Sequence, residues 1–414
     1  MITVEQALDI IRQNIPLRWP LRVRSAPNEV IGAPARFEKI PLIDSLGRVL
    51  AEEVFSDVDM PPFDKSAMDG YAVRSEDIKL PPVELEVLEI VPAGSMPTKE
   101  VKPGKAIKIM TGAPVPRGAD AVIMVEKTKY EPSTRTVRCL STVKKNANIC
   151  FKSEDISAGA KVISRDTKIT PQVVGLLAAV GKDKVQVYKY PSITIATTGD
   201  ELVEVNQKPQ GAKIRNSNTY SLLAQLINIG MPVTSLGIVK DDIDIMTEKV
   251  SAGLKSDMLI LTGGVSMGDY DIVEDVLKKL GVKILFDKVA IKPGKPTVFG
   301  IGPQGQLVFG LPGNPVSAFV ITEVFVKEAL SMLCNDAGIK NRIIEAELAA
   351  AIEHTSNRQQ YLGAKILQDG RVEAIDGHGS ADIVSLSRAD ALIIVPPDAP
   401  ALPIGSHVKV LIII

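Results

Sequence analysis

The sequence is poor in the residues from which many active sites and covalent frameworks are built. It contains three cysteines and three histidines in 414 residues. The cysteines, at positions 139, 150 and 334, are widely spaced and form no CxxC pair. A disulfide framework and a zinc site are therefore both unsupported. This cysteine usage favours a reducing compartment, and we expect a cytoplasmic protein.

Aromatic residues, excess charge and long apolar runs are also scarce. Aromatic residues make up 4% of the chain, which leaves few platforms for stacking bases. The 48 Lys and Arg residues balance 49 Asp and Glu residues, so no positive field favours nucleic acid. No apolar run is long enough to span a bilayer, and the start MITVEQALDIIRQ carries acids where a signal peptide needs a basic start. We expect neither a nucleic-acid partner nor a membrane partner.

The chain does have the length and apolar content for several cores. Its 414 residues predict about three domains from the usual domain size, and 45% of them are hydrophobic. Short β-branched runs over 81–138 favour a small β-rich, barrel-like unit. Strand and helix patterns alternate over 184–334, which predicts a wound parallel sheet with helices on both faces. Strand patterns return from 343 onwards.

We therefore predict a multi-domain α/β and β protein with a central wound parallel-sheet domain. The predicted domains are a helical domain at 1–55 plus 146–183, an inserted β-rich domain at 56–145, the α/β domain at 184–336 and a small C-terminal β domain at 337–414. Predicted strands of the central sheet are 192–198, 233–239, 257–261, 282–286 and 307–311, and predicted helices are 218–229, 242–254, 271–280 and 315–334. Thr3 and Gln6 form a capping box that predicts a first helix.

Three glycine-rich turns follow one another within 257–318, and we place all three in the predicted sheet. They are LILTGGVSMGDYD, VAIKPGKPTVF and LVFGLPGNPVSAF. Their glycines allow a close approach of a ligand to the backbone, and helical patterns begin after the first and third turns. Free N–H groups at such turns favour an anion, and Lys288, Lys292 and Lys295 surround the middle turn. In open α/β sheets ligands bind outside the carboxyl ends of the strands, so we predict an anion-binding site there.

Acidic residues follow several of the same strands. Asp200 and Glu201 end the first strand, Asp241 and Asp242 follow the next, and Asp269 and Asp271 lie in the first glycine-rich turn. Any one of them is more often a solvated turn residue or a helix cap. Carboxylates beside an anionic ligand repel it unless a divalent cation lies between them, and an all-oxygen ligand set suits Mg²⁺. The hypothesis is a metal-assisted transfer at a phosphorylated substrate.

No other catalytic pattern competes with this hypothesis. The histidines lie outside these loops, so neither a Ser/His/Asp nor a Cys/His constellation is present in them. The sequence has no Walker motif and no GxGxxG after a first strand, so ATP hydrolysis of the P-loop type and nicotinamide binding are unsupported.

Six segments, spread over nearly the whole chain, carry a resemblance to a known family. In order they are MPPFDKSAMDGYA, IMTGAPVP, TTGDEL, LTGGVSMGDYD, IKPGKP and GLPGNPVSAF. Together they resemble molybdopterin molybdenumtransferase, the MoeA and gephyrin E-domain family. The resemblance implies insertion of molybdate, or of tungstate, into adenylylated molybdopterin with Mg²⁺, which releases AMP and the metal cofactor. It also implies an elongated homodimer of four-domain subunits, with the site between the sheet domain of one subunit and the β-insertion of the other.

The resemblance also implies roles for individual residues. It makes Asp64 and Asp69 site residues contributed by the other subunit, with Thr111 and Asp155 nearby. Glu201, Asp241 and Asp271 then face the metal, the pterin or molybdate. Lys288, Lys292 and Lys295 hold anions, and the pocket for the pterin phosphate or nucleotide is shaped by Gly263, Gly264, Ser266, Pro312, Gly313 and Pro315. Arg358 and Ser380 of the last domain also bind substrate, and Leu362 and Gly363 stand there in place of the family's second arginine.

Two other functions fit part of the pattern. The sheet domain also resembles the molybdopterin adenylyltransferases, which share TGG and PGxP loops. Those proteins are a single sheet domain, so the β-insertion and the FDKSAMDGYA loop argue against this alternative; such an enzyme is instead a candidate partner. A gephyrin-like scaffold without catalysis is the second alternative, and the intact acids and lysines argue against it. Residue types do not separate molybdenum from tungsten.

Overall fold

The computed structural model describes residues 1–15, 37–264, 272–353 and 356–413. The chain forms two compact units. The first, which we call the α/β unit, comprises Met1–Lys39, Gly47–Val49 and Gln186–Ile414, and the second, the β unit, comprises Ile40–Leu46 and Leu50–Val185. The finer division into four domains stays a prediction, and most of the segment 17–39 lies outside the described residues.

The strands are numbered here in chain order. Those up to residue 163 are β1 Phe37–Pro41, β2 Val54–Phe55, β3 Lys65–Ser66, β4 Gly70–Val73, β5 Val83–Val91, β6 Lys105–Ile109, β7 Ala121–Met124, β8 Thr128–Glu131, β9 Thr136–Cys139, β10 Ile149–Cys150 and β11 Lys161–Ile163. The later ones are β12 Lys184–Tyr188, β13 Ile193–Thr198, β14 Leu202–Val203, β15 Ile214–Arg215, β16 Val233–Val239, β17 Met258–Thr262, β18 Lys283–Phe286, β19 Ile291–Lys292, β20 Val298–Ile301, β21 Leu307–Leu311, β22 Ile343–Glu347, β23 Gln359–Ile366, β24 Val372–Ala374, β25 Ala391–Val395 and β26 His407–Ile412.

In the described part of the chain the helices are fewer than the strands. They are α1 Val4–Asn14, α2 Pro171–Ala179, α3 Ser217–Asn228, α4 Ile243–Gly253, α5 Ile272–Lys279, α6 Pro315–Ile321, α7 Lys327–Leu333 and α8 Ile383–Leu386. A π-helical turn, Thr322–Val326, joins α6 to α7, and short 3-10 turns lie at Leu42–Ser45, Ser75–Ile78, Val125–Lys127 and Ala337–Ile339. None of the described helices is long and apolar enough to cross a membrane.

The α/β unit is built on a six-stranded sheet with the order β16-β13-β17-β21-β20-β18. Neighbours among the first four strands are parallel. Strands β13, β17 and β21 are buried along their whole length, which explains their continuously apolar sequences. The predicted wound parallel sheet is therefore confirmed for these four strands.

The other end of this sheet differs from the prediction. Strand β20 was not predicted, and it runs antiparallel to both β21 and β18, so the sheet is mixed. Strand β20 has no clear sequence pattern because the strand is only four residues long and contains Gly300. That glycine is required by packing, since a Cβ there would lie 2.9 Å from the Lys283 carbonyl oxygen.

The placement of the middle glycine-rich turn in the wound sheet was wrong. The strand before it, β19, pairs in parallel with Gln359 and Gln360 of β23. It therefore belongs to a second sheet, with the order β19-β23-β25-β26-β22 and β24 paired to β23. The strand that enters the wound sheet, β20, comes after the turn. The apolar C-terminal run forms β26, in the interior of this second sheet, as its hydrophobicity indicates.

The predicted helices are confirmed with shifts of one or two residues at most of their ends. Helix α1 carries the predicted capping box, in which Thr3 and Gln6 bond each other's backbone. Its residues Val4, Ala7 and Ile11 are buried in the main core of the α/β unit. The predicted helix 315–334 is one helical run in which α6, the π-helical turn and α7 follow one another.

The β unit contains a six-stranded sheet with the order β7-β4-β6-β5-β9-β8. Two clusters of buried apolar residues pack against it, one around Tyr71 and Leu85 and one around Ile107 and Val122. Two small pairs, β3 with β10 and β2 with β11, lie outside this sheet. The predicted β-rich unit is thus confirmed.

Candidate functional site

A cavity of about 560 Å³ opens in the α/β unit at the carboxyl ends of β13, β17 and β21. Its walls come from the loop after β13, the start of α3 and the two glycine-rich turns after β17 and β21. Predicted site residues that line it are Glu201, Gly263, Gly264, Pro312, Gly313 and Pro315. This is the edge at which open α/β sheets bind their ligands.

The turn after β17 is held close to the neighbouring strand by two glycines. Gly263 has φ +90°, and a Cβ there would lie 2.3 Å from the carbonyl oxygen of Thr198. Gly264 has φ +62°, and its Cβ would lie 2.8 Å from the Thr198 hydroxyl. Only glycine fits these backbone positions and spaces. The TGG sequence is therefore what lets this wall of the cavity form.

Buried hydrogen bonds fix the turn after β21. The side-chain amide of Asn218 donates to the Gly313 carbonyl at 2.7 Å and to the Thr262 hydroxyl at 2.9 Å. The Thr262 hydroxyl in turn donates to the Pro312 carbonyl at 3.1 Å. Side chains from α3 and β17 thus hold the backbone of the GLPGNP turn, which leaves its surface free to face the cavity.

One buried polar group at the cavity has no hydrogen-bond partner. Thr198 is 2% exposed and lines the cavity, and its Oγ1 has no partner among the described residues. Its neighbour Thr197, equally buried, shares a hydrogen bond with the Thr219 hydroxyl. Since buried polar groups are normally paired, the Thr198 hydroxyl is an exception that calls for a ligand or water.

Three acidic residues meet at the edge of the sheet, as the sequence predicted for them. The amide of Asp200 donates to Asp241 Oδ2 at 3.3 Å, and the amide of Asp241 donates to Asp200 Oδ1 at 3.4 Å. Partial burial raises the pKa of Asp241, and the negative charges of Asp200 and Glu201 add to the effect. A cation would relieve this repulsion.

The predicted metal-binding set is only partly within the described residues. Glu201 and Asp241 are described, but Asp271 is not, and the same holds for Asp269 and Ser266. In ranges 1–15, 37–264, 272–353 and 356–413, no group of three or more His, Cys, Asp or Glu residues is arranged to hold a metal. The carboxylate oxygens of Glu201 and Asp241 are donors of the chemical type that magnesium prefers.

The predicted lysines lie beside the middle glycine-rich turn and are not among the residues that line the cavity. The Lys288 ammonium lies 3.7 Å from Asp287, and the Lys288 carbonyl accepts from the Ile2 amide at 3.2 Å. Lys292 is half-buried and Lys295 is exposed. Pro296, next to Lys295, does line the cavity, so the middle turn reaches the cavity at that residue.

Two site residues, Ser380 and Arg358, were predicted in the last part of the chain. Ser380 lies next to a residue that lines the cavity, and Arg358 does not. The Ser380 hydroxyl accepts from the Asn314 side chain at 2.8 Å, and the Ser380 carbonyl accepts from the Val316 amide at 3.1 Å. Ala381, its neighbour, lines the cavity. Arg358 does not line it; its guanidinium donates to the Ile291 carbonyl at 3.2 Å and so braces the middle turn.

The predicted residues of the β unit form a polar loop cluster of their own. Asp69 accepts from both the amide and the hydroxyl of Thr111, each at 2.7 Å, and these bonds hold the pKa of Asp69 below its ordinary value. Asp64 accepts from the Lys152 amide at 2.8 Å. Asp155 is exposed, and its amide donates to the Met60 carbonyl at 3.0 Å. The structure therefore pairs Asp69 with Thr111 and leaves the carboxylates of this cluster exposed.

Several residues of the cavity were missed by the sequence reasoning. They are Thr197, Thr198, Arg215, Asn216, Ser217 and Asn218. Thr197 and Thr198 belong to the TTGDEL segment, in which the acids carry a recognisable signal and the threonine hydroxyls do not. The run RNSNT had a signal of its own, because Asn is a strong N-cap and predicts a helix start at that point.

Three family models match consecutive parts of the chain. They are described as the MoeA N-terminal region (domain I and II), over residues 2–181, a probable molybdopterin binding domain, over 194–332, and the MoeA C-terminal region (domain IV), over 345–413. A molybdopterin molybdenumtransferase of Staphylococcus aureus is 33% identical over 405 residues, covering 95% of this chain and 96% of that protein. The chain belongs to the molybdopterin molybdenumtransferase (MoeA) family. It is thus an enzyme of molybdenum cofactor biosynthesis.

Further relatives agree with this membership. A molybdopterin molybdenumtransferase of Staphylococcus epidermidis is also 33% identical, over 96% of this chain and 97% of that protein. A crystal structure of the molybdopterin biosynthesis MoeA protein from Pyrococcus horikoshii covers 100% of both chains with 31% identity and a TM-score of 0.79. A second structure of a MoeA protein from the same genus has 27% identity and a TM-score of 0.80. The MoeA-type fold thus extends over the whole chain.

Proposed function

We propose that this enzyme inserts molybdate, or tungstate, into adenylylated molybdopterin in a Mg²⁺-dependent reaction that releases AMP and the metal cofactor. The observation that carries the proposal is the cavity at the carboxyl edge of the wound sheet, with two glycine-rich turns and the Glu201 carboxylate in its walls. Most of that cavity lies in the region that matches a probable molybdopterin binding domain. A phosphorylated pterin fits such walls, because glycine turns let a phosphate approach the backbone.

The carboxylates provide the cation site in this proposal. Glu201 and Asp241, together with Asp271, would hold the magnesium ion. When bound, the ion supplies positive charge that neutralises the phosphates of the adenylylated pterin. Asp241 lies beside the negative charges of Asp200 and Glu201, so a cation bound there would be attracted by all three carboxylates.

The remaining predicted residues bind and orient the two substrates. Lys288, Lys292 and Lys295 would attract the oxyanion, with Arg358 and Ser380 positioning the turns beside it. Asp64, Asp69, Thr111 and Asp155 would act as catalytic residues of the β unit. Molybdate oxygens leave as water, with protons from the dithiolene thiols and from solvent, as the sulfurs bind the metal. A water molecule cleaves the phosphoanhydride bond to release AMP. Catalysis therefore consists mainly of charge neutralisation and positioning.

The proposal includes the setting of the enzyme. We place it in the cytoplasm as a homodimer of four-domain subunits, as the resemblance to the family implies. An adenylyltransferase must supply the adenylylated pterin, which makes that enzyme a candidate partner. Sedimentation of the purified protein tests the dimer: a native mass of two chains supports it, and the mass of one chain contradicts it.

The test of the activity is AMP release by purified protein given adenylylated molybdopterin and Mg²⁺, with and without molybdate or tungstate. We expect the oxyanion to stimulate AMP release, and Glu201→Gln or Asp64→Ala to abolish the stimulation. Glu204→Gln is the matched control, because Glu204 is exposed, is close to Glu201 in the chain and does not line the cavity.

The outcomes separate the proposed reaction from the alternatives. Oxyanion-stimulated release in the wild type and in Glu204→Gln alone supports the transferase, and the preferred oxyanion identifies the metal. Binding of the pterin without any stimulated release contradicts it and favours a scaffold. Formation of the adenylylated pterin from ATP would instead favour an adenylyltransferase.

A further inference from the structure

We propose that Arg215, the Thr198 hydroxyl and the first amides of α3 form a binding site for a terminal phosphate group of the substrate. This inference deepens the proposed function and rests on it. The site lies within the cavity described above, but none of its three components belongs to the predicted set of site residues. Each of them is a hydrogen-bond donor, which is what a phosphate dianion requires.

Arg215 is placed beside the cavity by a short strand pair. Strands β14 and β15 pair in parallel, and the amide of Asn216 donates to the Val203 carbonyl at 3.0 Å. The Arg215 side chain is exposed, and its Nε donates to the Gln207 carbonyl at 3.0 Å. That bond fixes the plane of the guanidinium, while both terminal nitrogens keep their donors available, with no acceptor in the described part of the chain.

Arg215 alone gives its wall of the cavity a positive side-chain charge, among the described residues. Among the described residues that line the cavity, Arg215 is the one cation and Glu201 is the one acid. The other polar lining groups are hydroxyls, amides and backbone. An anion that enters the cavity is therefore repelled on the side of Glu201 unless a cation is bound there, and is attracted on the side of Arg215. A planar guanidinium can bind two phosphate oxygens at once.

The start of α3 adds two backbone donors. Asn216 is the N-cap, and its side chain accepts from the Thr219 amide at 3.2 Å. The amides of Ser217 and Asn218 come before that one in the helix and have no acceptor within the described ranges. Both residues line the cavity. The positive end of the helix dipole thus favours an anion in the same cavity.

The Thr198 hydroxyl supplies the observation that points to a ligand. It is buried, has no partner among the described residues, and lies 2.8 Å from the point where a Cβ on Gly264 would be. Gly264 is exposed at the cavity wall and has no side chain to cover the Thr198 hydroxyl, so a ligand in the cavity can approach it. A buried hydroxyl left without a partner costs free energy, and a phosphate oxygen bonded to it would recover that cost.

The phosphate has two possible sources, the side chain of molybdopterin and AMP. Both carry the same chemical group, a phosphate monoester, and binding measurements distinguish them. We would titrate the protein by calorimetry with metal-free molybdopterin, with the same pterin after removal of its phosphate, with AMP and with adenosine. Mg²⁺ and oxyanion are left out, so that the result does not depend on turnover.

Four substitutions test the two side chains, and a fifth is the control. We expect Arg215→Ala to weaken binding of one phosphorylated ligand by roughly 10- to 100-fold, the range for a charge-assisted hydrogen bond. Binding of its dephosphorylated counterpart should be unchanged. Arg215→Lys should recover part of the loss, Thr198→Val should weaken the same ligand and Thr198→Ser should not. Arg342→Ala is the control, because Arg342 is exposed and lies away from the cavity.

The outcomes assign or overturn the site. A loss of affinity in these variants that is confined to molybdopterin, or confined to AMP, supports the inference and identifies the source of the phosphate. The inference is overturned if the Arg215 and Thr198 variants lose equal affinity for the phosphorylated and dephosphorylated ligands. It is also overturned if the wild-type protein binds neither phosphorylated ligand, or if Arg342→Ala weakens binding as much as Arg215→Ala does. If binding of a phosphorylated ligand depends on Arg215 but the oxyanion does not stimulate AMP release, the phosphate site is supported and the proposed reaction is rejected.

Discussion

At the scale of single residues, two carboxylates show opposite effects of their surroundings. Asp241 lies near Asp200 and Glu201, and partial burial together with their charges raises its pKa. Asp69 accepts two hydrogen bonds from Thr111, which lower its pKa. Ionisation is therefore disfavoured at the first carboxylate and favoured at the second, which its hydrogen bonds also hold in position.

The Asp241→Asn substitution should raise the free energy of unfolding at pH 7 by less than about 1 kcal/mol, since the group is partly screened by solvent. The raised pKa means that the folded state disfavours ionised Asp241, so its contribution to stability falls as pH rises through its titration. Urea unfolding without divalent cations measures this. Asp242→Ala gives the contrast, because it removes the N-cap of α4 and should cost about 1 kcal/mol.

Addition of Mg²⁺ completes the test of Asp241. The cation should stabilise the wild-type protein and stabilise Asp241→Asn much less, because ligand binding to the folded state raises its stability. Equal stabilisation of both proteins would contradict the assignment of Asp241 to the cation site.

The Thr111→Val substitution should raise the pKa of Asp69 towards its ordinary value. The amide of residue 111 still donates to Asp69, so the pKa should stay somewhat low. A depressed pKa stabilises the fold above the unfolded-state pKa, and this contribution disappears as pH falls through the folded-state pKa. NMR titration of the carboxyl measures the shift, with Thr111→Ser as the control. An unchanged titration would mean that the hydroxyl does not hold the carboxylate in solution.

At the scale of elements, the turn after β17 depends on its backbone conformation. Gly263→Ala should destabilise the protein by roughly 1–3 kcal/mol or more, because it combines a positive φ with a clash against the Thr198 carbonyl. Gly313→Ala is the matched comparison: its Cβ would lie 3.7 Å from the Gly263 Cα, which is ordinary contact. Thermal unfolding of the two variants should therefore differ clearly, and equal losses would contradict this account of the turn.

The helical run from α6 to α7 contains a buried ion pair at its π-helical turn. Lys327 lies 2.6 Å from Glu323, with side chains 6% and 1% exposed, and Glu323 also accepts from Gln225 and Asn341. Lys327→Met should cost roughly 3–5 kcal/mol, because it leaves a buried charge without its partner. The double variant Glu323→Gln with Lys327→Met should recover much of the loss. A single variant as stable as the wild type would contradict this role of the pair.

Elements with strong local signals could be predicted from the sequence, and those defined by distant pairing could not. The buried strands β13, β17 and β21 follow from their apolar runs, and α1 from its capping box. The turn after β19 was misplaced because pairing with β23, more than sixty residues later, decides its sheet. The unpaired Thr198 hydroxyl and the cavity position of Arg215 depend on packing in three dimensions, which no local pattern encodes.

At the scale of the whole molecule, the family matches and the fold agree along nearly the entire chain. Family models cover 2–181, 194–332 and 345–413, and a MoeA structure superposes over the full length. The motifs quoted from the sequence lie in the first two of these ranges, and that is why the family and the cavity could be predicted. The roles of the loop residues around Asp64 depend on a bound substrate, so they stay predictions.

The most direct measurement of the central claim is the amount of pterin-bound molybdenum formed for each AMP released. The purified enzyme would be incubated with adenylylated molybdopterin, Mg²⁺ and molybdate, and the pterin would be separated and its metal quantified. The account predicts one metal atom inserted for each AMP, and neither product with Glu201→Gln. Release of AMP without metal on the pterin, or a pterin recovered unchanged, would contradict it.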